Sequence, residues 1–318
     1  MTKFGINVLK FSKKSYSLFS GPEKLPLLDL TGQEANDLIL NNLRMSKPLM
    51  VARFGATEMN SLANYISIRD HKNNYIRYIK GEVHHFWWDK NTIITMKEQS
   101  GFYPSNPRNL ERFYELMYND IKELDILGSW LNKEIIFKNE LSHVKKVGLR
   151  DLEPYRHSNP WTSALENKNV LVIHPFEESI RIQYKKRKSL FKDPMILPAF
   201  NLKTIKAVQS IDDDNLQFGS WFEALDFMKD KISNTEFDIA IIGCGAYGFP
   251  LAAHVKRLGK KAVHLGGATQ ILFGIIGKRW EREKEYEFVV QMKNSSWVRP
   301  LDNETPLGAK KLENSCYW

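Results

Sequence analysis

Cysteine is scarce in this chain: two residues among 318, Cys244 and Cys316. A disulfide framework is therefore not indicated, a reducing compartment is expected, and no Cys/His set has zinc spacing. Long apolar runs are missing as well, so no membrane-spanning helix is expected. The first residues, MTKFGINVLKFSKKSYSLFSG, alternate apolar and basic side chains without a signal peptide's compact apolar stretch. They read as a loosely packed arm, with a membrane-surface segment as the other reading. The expected location is the cytoplasm, with contact at the inner face of the membrane left open. Acidic residues are in deficit, 37 against 46 lysines and arginines, for a net charge of +9. Such a balance suits anionic partners. No nucleic-acid-binding module is visible, so nucleic acid is not an expected partner. The densest basic run, Lys185 to Lys188, reads as the solvated face of a helix. Internal repeats and low-complexity segments are also absent.

What is present suffices for a large core, since 42% of the residues are hydrophobic. Thr31 and Glu34 have the spacing of a capping box and open a helix expected to run to about Arg44. LMVAR follows Pro48 as a strand ending near Arg53, then the loop FGATE and a helix over MNSLANYIS. Residues 70 to 150 read as a mainly helical, aromatic-rich insertion. Apolar residues at helical spacing (Leu110, Phe113, Leu116, Met117, Ile121, Leu124) predict a helix from Asn109 towards Glu134. From residue 169 a β–α alternation begins: NVLVIHPF, then a helix over IRIQYKKRKSLF with Ser179 as its cap. MILPAF reads as a strand, SWFEALDFMKDKI as a helix, FDIAIIG as a strand, FPLAAHVKRLG as a helix and KKAVHLGG as a strand. The expected fold is α/β, a Rossmann-like parallel sheet flanked by helices. The expected division is an arm over 1–30, a catalytic domain over 31–285 and a polar, aromatic tail over 286–318.

The stretch FDIAIIGCGAYGFPLAAH carries the strongest chemical signal. Its GCGAYG turn fits the G-x-G-x-x-G pattern that holds a pyrophosphate between a strand and a helix. Gly243, Gly245 and Gly248 permit a tight turn and close backbone approach. A nicotinamide site also needs a carboxylate at the end of the next strand, yet Phe249 to Trp280 contains no Asp or Glu. The turn therefore reads better as a phosphate-facing loop of a transferase than as an NAD(P) site, with glycines that merely let helix and strand pack as the other alternative. A second glycine loop, Gly266-Gly267, follows His264, and His174 arrives likewise at a strand end. Ligands of open parallel sheets lie at the carboxyl ends of the strands.

Near the start, Arg53-Phe-Gly-Ala-Thr-Glu58 also follows a strand. Arginine suits a phosphate clamp, and glutamate suits a base or a metal ligand. The bland alternative is an Arg53–Glu58 ion pair. This segment resembles the R-F-G-[D]-x-E stretch of bacterial GT-D-fold glycosyltransferases, which build surface polysaccharides and glycoproteins. The strand, glycine turn, helix, strand and glycine loop of the second half are similar to that group too. The resemblance implies a UDP-sugar donor, a glycan or lipid-linked acceptor, and an Asp-x-Glu pair supporting Mn2+ or Mg2+. Glu58 matches the glutamate, but Ala56 stands at the aspartate position. Either Asp151 or Glu153 fills in, or positive charge replaces the metal.

On this reading Arg53, Gly55, Gly243, Gly245, Gly248, Gly266 and Gly267 hold the nucleotide-sugar. Glu58 positions a metal or the donor, and Glu58, His174 or His264 is the general base. Phe86, Trp87 and Trp88 read as core or as a glycan platform. The rival readings are a dehydrogenase or methyltransferase using NAD(P) or S-adenosylmethionine, and a non-catalytic nucleotide- or glycan-binding protein.

Overall fold

The computed structural model describes residues 2–19, 25–70, 73–210, 217–306, 309 and 316–318. Seven strands form one all-parallel sheet: β1 (Leu49–Ala52), β2 (Ile126–Ser129), β3 (Lys145–Gly148), β4 (Asn169–His174), β5 (Asn201–Lys206), β6 (Ile239–Ile242) and β7 (Lys261–His264). Their order is β3-β2-β1-β7-β6-β4-β5. The expected Rossmann-like α/β fold is what the chain adopts.

Period-2 alternation builds both faces of the sheet. Met50, Ala52, Leu171, Ile173, Ala240 and Ile242 point into one buried layer. Their neighbours Leu49, Val51, Val170, Val172, Ile239 and Ile241 point into the other. The first layer is covered by α3 (Ala56–Asp70), α6 (Pro107–Ile121), α8 (Trp221–Ser233) and α9 (Gly248–Arg257). The second is covered by α2 (Gly32–Arg44), α7 (Glu177–Lys185), α10 (Ala268–Leu272), α11 (Lys278–Arg282) and α12 (Glu287–Met292). The remaining helices are α1 (Lys3–Ser17), α4 (Tyr75–Ile79) and α5 (Lys90–Ser100).

Several expectations are corrected. Residues 70–150 are not simply a helical insertion, because β2 and β3 lie within them and complete one side of the sheet. The helix expected towards Glu134 stops at Ile121, and the following apolar residues enter β2. Four residues of buried strand are too short to announce a period of their own. MILPAF forms a 3-10 turn, and the strand lies just beyond it, over Asn201–Lys206. Residue 31 does precede α2, but Thr31 makes no side-chain capping bond. Ser179 lies inside the first turn of α7, whose N-cap is Phe176.

The tail is no tail. Trp297 and Trp318 are buried in the second layer, and the Glu304 carboxylate accepts the N–H groups of Glu178 and Ser179 at the start of α7. The arm contains α1, seated against α4. The basic run at the end of α7 is mostly exposed, as expected.

Register fixes what meets at the carboxyl edge. Ile173 pairs with Ile242, Ile242 with His264, and Val51 with Val263. One step further along, Arg53, Leu265, Gly243 and His174 stand in that order along the edge, at the ends of β1, β7, β6 and β4. Between β4 and β6 the onward connections diverge, β4 leading outward to β5 and β6 inward to β7. That divergence opens a crevice where open α/β sheets bind ligands.

Candidate functional site

Two adjoining cavities occupy this edge, of about 150 Å³ and about 190 Å³. Arg53, Gln99, Ser100, Gly245, His264 and Tyr317 line both, so they form two lobes of one cleft. The inner lobe adds His174, Gly243, Cys244, Tyr247, Gly266, Gly267, Gln270 and Trp318. The outer lobe adds Gly55, Glu58, Trp130 and Arg279. A third hollow, about 330 Å³, lies at the opposite edge between Leu43, Ala164, Phe237 and Gly259. Two of its lysines are already engaged, Lys260 with the Phe237 carbonyl and Lys261 with that of Leu43. The carboxyl-edge cleft is the candidate site because the strand ends converge there.

Arg53 is its centre. The guanidinium is half-buried, lies 5.2 Å from the Trp130 ring centroid and comes within 3.6 Å of where a Cβ on Gly266 would sit. It makes no hydrogen bond or ion pair with any other described residue, so the expected Arg53–Glu58 pair is not formed. Burial lowers its pKa from the ordinary value, and Tyr317 and Glu58 oppose that shift. A guanidinium stays cationic through such a shift. A cation withdrawn from water and left without an anion is unfavourable by itself, and a bound anion relieves it.

Residues of both glycine turns line the cleft with Arg53. The N–H groups of Cys244, Gly245 and Ala246, and of Gly266, Gly267 and Ala268, donate to no other described residue. Gly243 is indispensable for another reason: a methyl group there would lie 2.7 Å from the Gly266 carbonyl oxygen and 2.7 Å from His174 Cδ2. Gly245 has φ +56°, the left-handed region that favours glycine.

Gly248 departs from expectation. It lines neither lobe, its N–H is committed to the Gly245 carbonyl, and a side chain there would collide with the His264 ring. A 3-10 turn at Gly245–Tyr247 separates β6 from α9, so the free amides belong to that turn and not to the helix N-terminus. Gly248 is a packing glycine that seats His264.

The histidines are also corrected. His174 Nδ1 accepts the Phe176 N–H at 3.0 Å, which uses its lone pair and puts the proton on Nε2. His264 Nδ1 donates to the Ile242 carbonyl at 3.2 Å, which leaves the lone pair on Nε2. Burial lowers both pKa values to about 3, with Arg53 adding to the effect at His264. His174, with its lone pair engaged and its other nitrogen protonated, has none to offer as a general base, whereas His264 keeps the Nε2 lone pair and burial beside Arg53 makes it a weak one. They offer the cleft one neutral donor and one neutral acceptor. Burial likewise holds the Cys244 thiol protonated and removes it as a nucleophile.

These shifts have a testable consequence. Each histidine is neutral in the folded protein down to about pH 3 but would take a proton below 6.5 when unfolded. Stability is therefore complete above that value and is lost as pH falls, by about 1.4 kcal/mol per pH unit for each ring. Buried His84, with a pKa of about 2, acts in the same direction. Asp120, pushed up to about 6 by burial beside Arg257, acts in the opposite one. The urea midpoint is expected to fall between pH 7 and pH 5, and the fall should shrink in His264→Gln. A midpoint that rises on acidification would refute these assignments.

Glu58 stands at the mouth of the outer lobe, in the first turn of α3, its carboxylate folded over Gly55. It is half-buried and has no hydrogen-bond partner among the described residues. The expected supporting acids are elsewhere. Asp151 accepts the Gly148 N–H, Glu153 pairs with Arg156, and neither lines the cleft. Among the described residues no three His, Cys, Asp or Glu side chains gather as a metal set. Among the described residues that line the cleft, Glu58 is the one carboxylate side chain on which the expected Mn2+ or Mg2+ could rest.

Sequence reasoning missed a good part of the wall. Ser100 Oγ and Gln270 Oε1 line the cleft, are buried and have no partner among the described residues. Trp130 and Gln99 come from the stretch read as an insertion, and Tyr317 and Trp318 from the stretch read as a tail. The Tyr317 hydroxyl accepts from Arg279 at 3.0 Å. Conversely, Phe86 and Trp87 pack with Tyr78 and Val83 in a small separate cluster, away from the cleft. Comparison of the chain with family models, with curated proteins and with solved structures gives no match.

Proposed function

We propose that this protein is a glycosyltransferase that moves a sugar from a nucleotide donor, a UDP-sugar, to a glycan or lipid-linked acceptor in bacterial surface polysaccharide synthesis. The observation that carries the reading is Arg53: a guanidinium with no ion-pair partner among the described residues, lining one cleft with two glycine turns whose amides donate to no described residue. Three positive or donor groups along the carboxyl edge of a parallel sheet match a diphosphate. The lobe beyond, walled by Tyr247, Trp318 and the two neutral histidines, suits the uncharged hydrogen-bonding groups of a base or sugar.

In this mechanism the acceptor hydroxyl attacks the anomeric carbon. A new carbon–oxygen bond forms while the bond to the diphosphate oxygen breaks, and the electron pair leaves with UDP. Arg53 and the turn amides stabilise the negative charge that develops there. The hydroxyl proton passes to Glu58, a carboxylate of the outer lobe without a hydrogen-bond partner among the described residues.

The test is a thermal-shift series followed by turnover. UDP and UDP-sugars are expected to raise Tm, whereas NAD(P) and S-adenosylmethionine are not. Glu58→Gln should retain UDP binding and the wild-type Tm but lose about 10²- to 10⁴-fold in transfer rate. Stabilisation by NAD(P) alone would replace this reading with a dehydrogenase. UDP-sugar binding without hydrolysis or transfer would leave a binding protein.

A further inference from the structure

We propose that α1 is a membrane-surface anchor that docks its outward face on anionic lipid. The helix is held to the body by one side. Leu9 packs on the cluster of Tyr78, Val83 and Phe86, Lys10 Nζ lies 2.7 Å from Asp89 Oδ1, and Lys13 Nζ sits 4.7 Å from the Tyr78 ring centroid. The other side is bare and apolar. Phe4, Val8 and Phe11 are 78%, 48% and 72% exposed, and Leu18, one position past the helix, is 79% exposed. Steps of four, three and seven residues place them on one helical face. Among the described residues, the large apolar side chains more than 70% exposed are Phe4, Phe11, Leu18, Phe19, Leu25 and Leu27. All six belong to this one N-terminal stretch.

Charge selects the occupant. Residues 2–22 contain four lysines and no acid. Lys14 is exposed and lies beside the stripe, three residues after Phe11 and four before Leu18. An apolar ridge with a basic margin and no negative group complements a bilayer interface, where acyl chains lie beneath phosphate headgroups. No helix among the described residues is long and apolar enough to cross a membrane, so the contact proposed is one lying in the interface plane.

The anchor is wired to the cleft. Asp89, the partner of Lys10, is the N-cap of α5, and the other end of α5 delivers Gln99, Ser100 and Gly101 to the cleft wall. Eleven residues of helix span about 16 Å, so the cleft lies about one short helix plus the width of α1, roughly 10 Å more, from the docking surface. That proximity suits a lipid-linked acceptor, a step resting on the proposed transfer; the docking itself does not rest on it.

The test is co-sedimentation of the full chain with phosphatidylcholine vesicles with or without about one-third phosphatidylglycerol, at about 0.1 M salt. The wild type is expected to pellet with the anionic vesicles and much less with the neutral ones. Phe4→Glu/Phe11→Glu should weaken binding at least about tenfold, and Lys14→Glu should weaken it less. Ile135→Glu, at an exposed apolar position outside this stretch, should leave binding unchanged. Tm and the UDP thermal shift should stay at wild-type values in all three variants, so that lost docking is read apart from lost folding or lost donor binding. The proposal is overturned if the wild type stays in the supernatant, or if the double variant binds as well as wild type. It is also overturned if light scattering shows a dimer that the double variant dissolves while no vesicle binding occurs, because the face would then join two copies.

Discussion

Arg53→Ala is expected to lower kcat/KM for a UDP-sugar by about 10²- to 10³-fold, the usual effect of deleting one pre-positioned group that stabilises developing negative charge. The same substitution should leave Tm unchanged or slightly raised. The guanidinium has no ion-pair partner among the described residues, and burial opposes its charge, so its removal relieves a cost in the unliganded protein. Arg53→Lys should recover part of the activity, because it restores the charge but not the planar fork or the stacking on Trp130. The pairing of lost activity with undiminished stability is the informative result. A large fall in Tm would make Arg53 a structural residue, and full activity in the alanine variant would remove it from the site. Initial rates and a melting curve on the same preparations check both halves.

The largest effect on stability is expected at Trp221. Its side chain is fully buried at the start of α8 and stacks on Tyr247 with ring centroids 4.8 Å apart and planes 6° from parallel. Phe102 and Phe113 approach it at 5.2 Å and 5.5 Å. Tyr247 belongs to the turn after β6, and its hydroxyl bonds Ser210 at 2.7 Å; both line the inner lobe. Trp221→Ala should cost about 3–5 kcal/mol, the range for deleting a buried large aromatic. Because the cavity would open directly behind Tyr247, UDP affinity should fall along with the urea midpoint. Trp221→Phe keeps an aromatic surface against Tyr247 and should recover much of both. An alanine variant with the wild-type midpoint would contradict the packing described for this layer.

The sequence disclosed those parts of the fold whose signal is local. β1, β4, β6 and β7 are short continuous apolar runs ending in arginine, histidine or glycine, which is how buried parallel strands read. The same runs deliver Arg53, His174, Gly243 and His264, so much of the cleft was legible as well. β2 was not, because Leu124 continues the helical spacing that really ends at Ile121, and no period separates four buried residues from a helix end. β5 escaped because it is an edge strand whose sequence, NLKTIK, is half polar, while the more apolar MILPAF beside it is a turn. The cleft's C-terminal wall was illegible for a different reason. Tyr317 and Trp318 reach it through contacts with Arg279 and with the Glu304 carbonyl, partners remote in sequence.

Chemical roles were harder to read than positions. Nothing in NVLVIH or KKAVHLGG tells which imidazole nitrogen keeps its lone pair. That follows from the Phe176 N–H in one case and the Ile242 carbonyl in the other. Gly248 matched a phosphate-binding pattern for a packing reason, the close approach of the His264 ring. Glu58, by contrast, is where the loop suggested and is left as the cleft's candidate base.

The most direct test is a crystal structure of the protein with UDP. The diphosphate is expected within about 3.2 Å of the Arg53 guanidinium and of amides from both glycine turns, with the uridine in the lobe beside His174 and Trp318. UDP lodged in the hollow at the opposite edge of the sheet, or a carboxyl-edge cleft left empty under saturating UDP, would contradict the account.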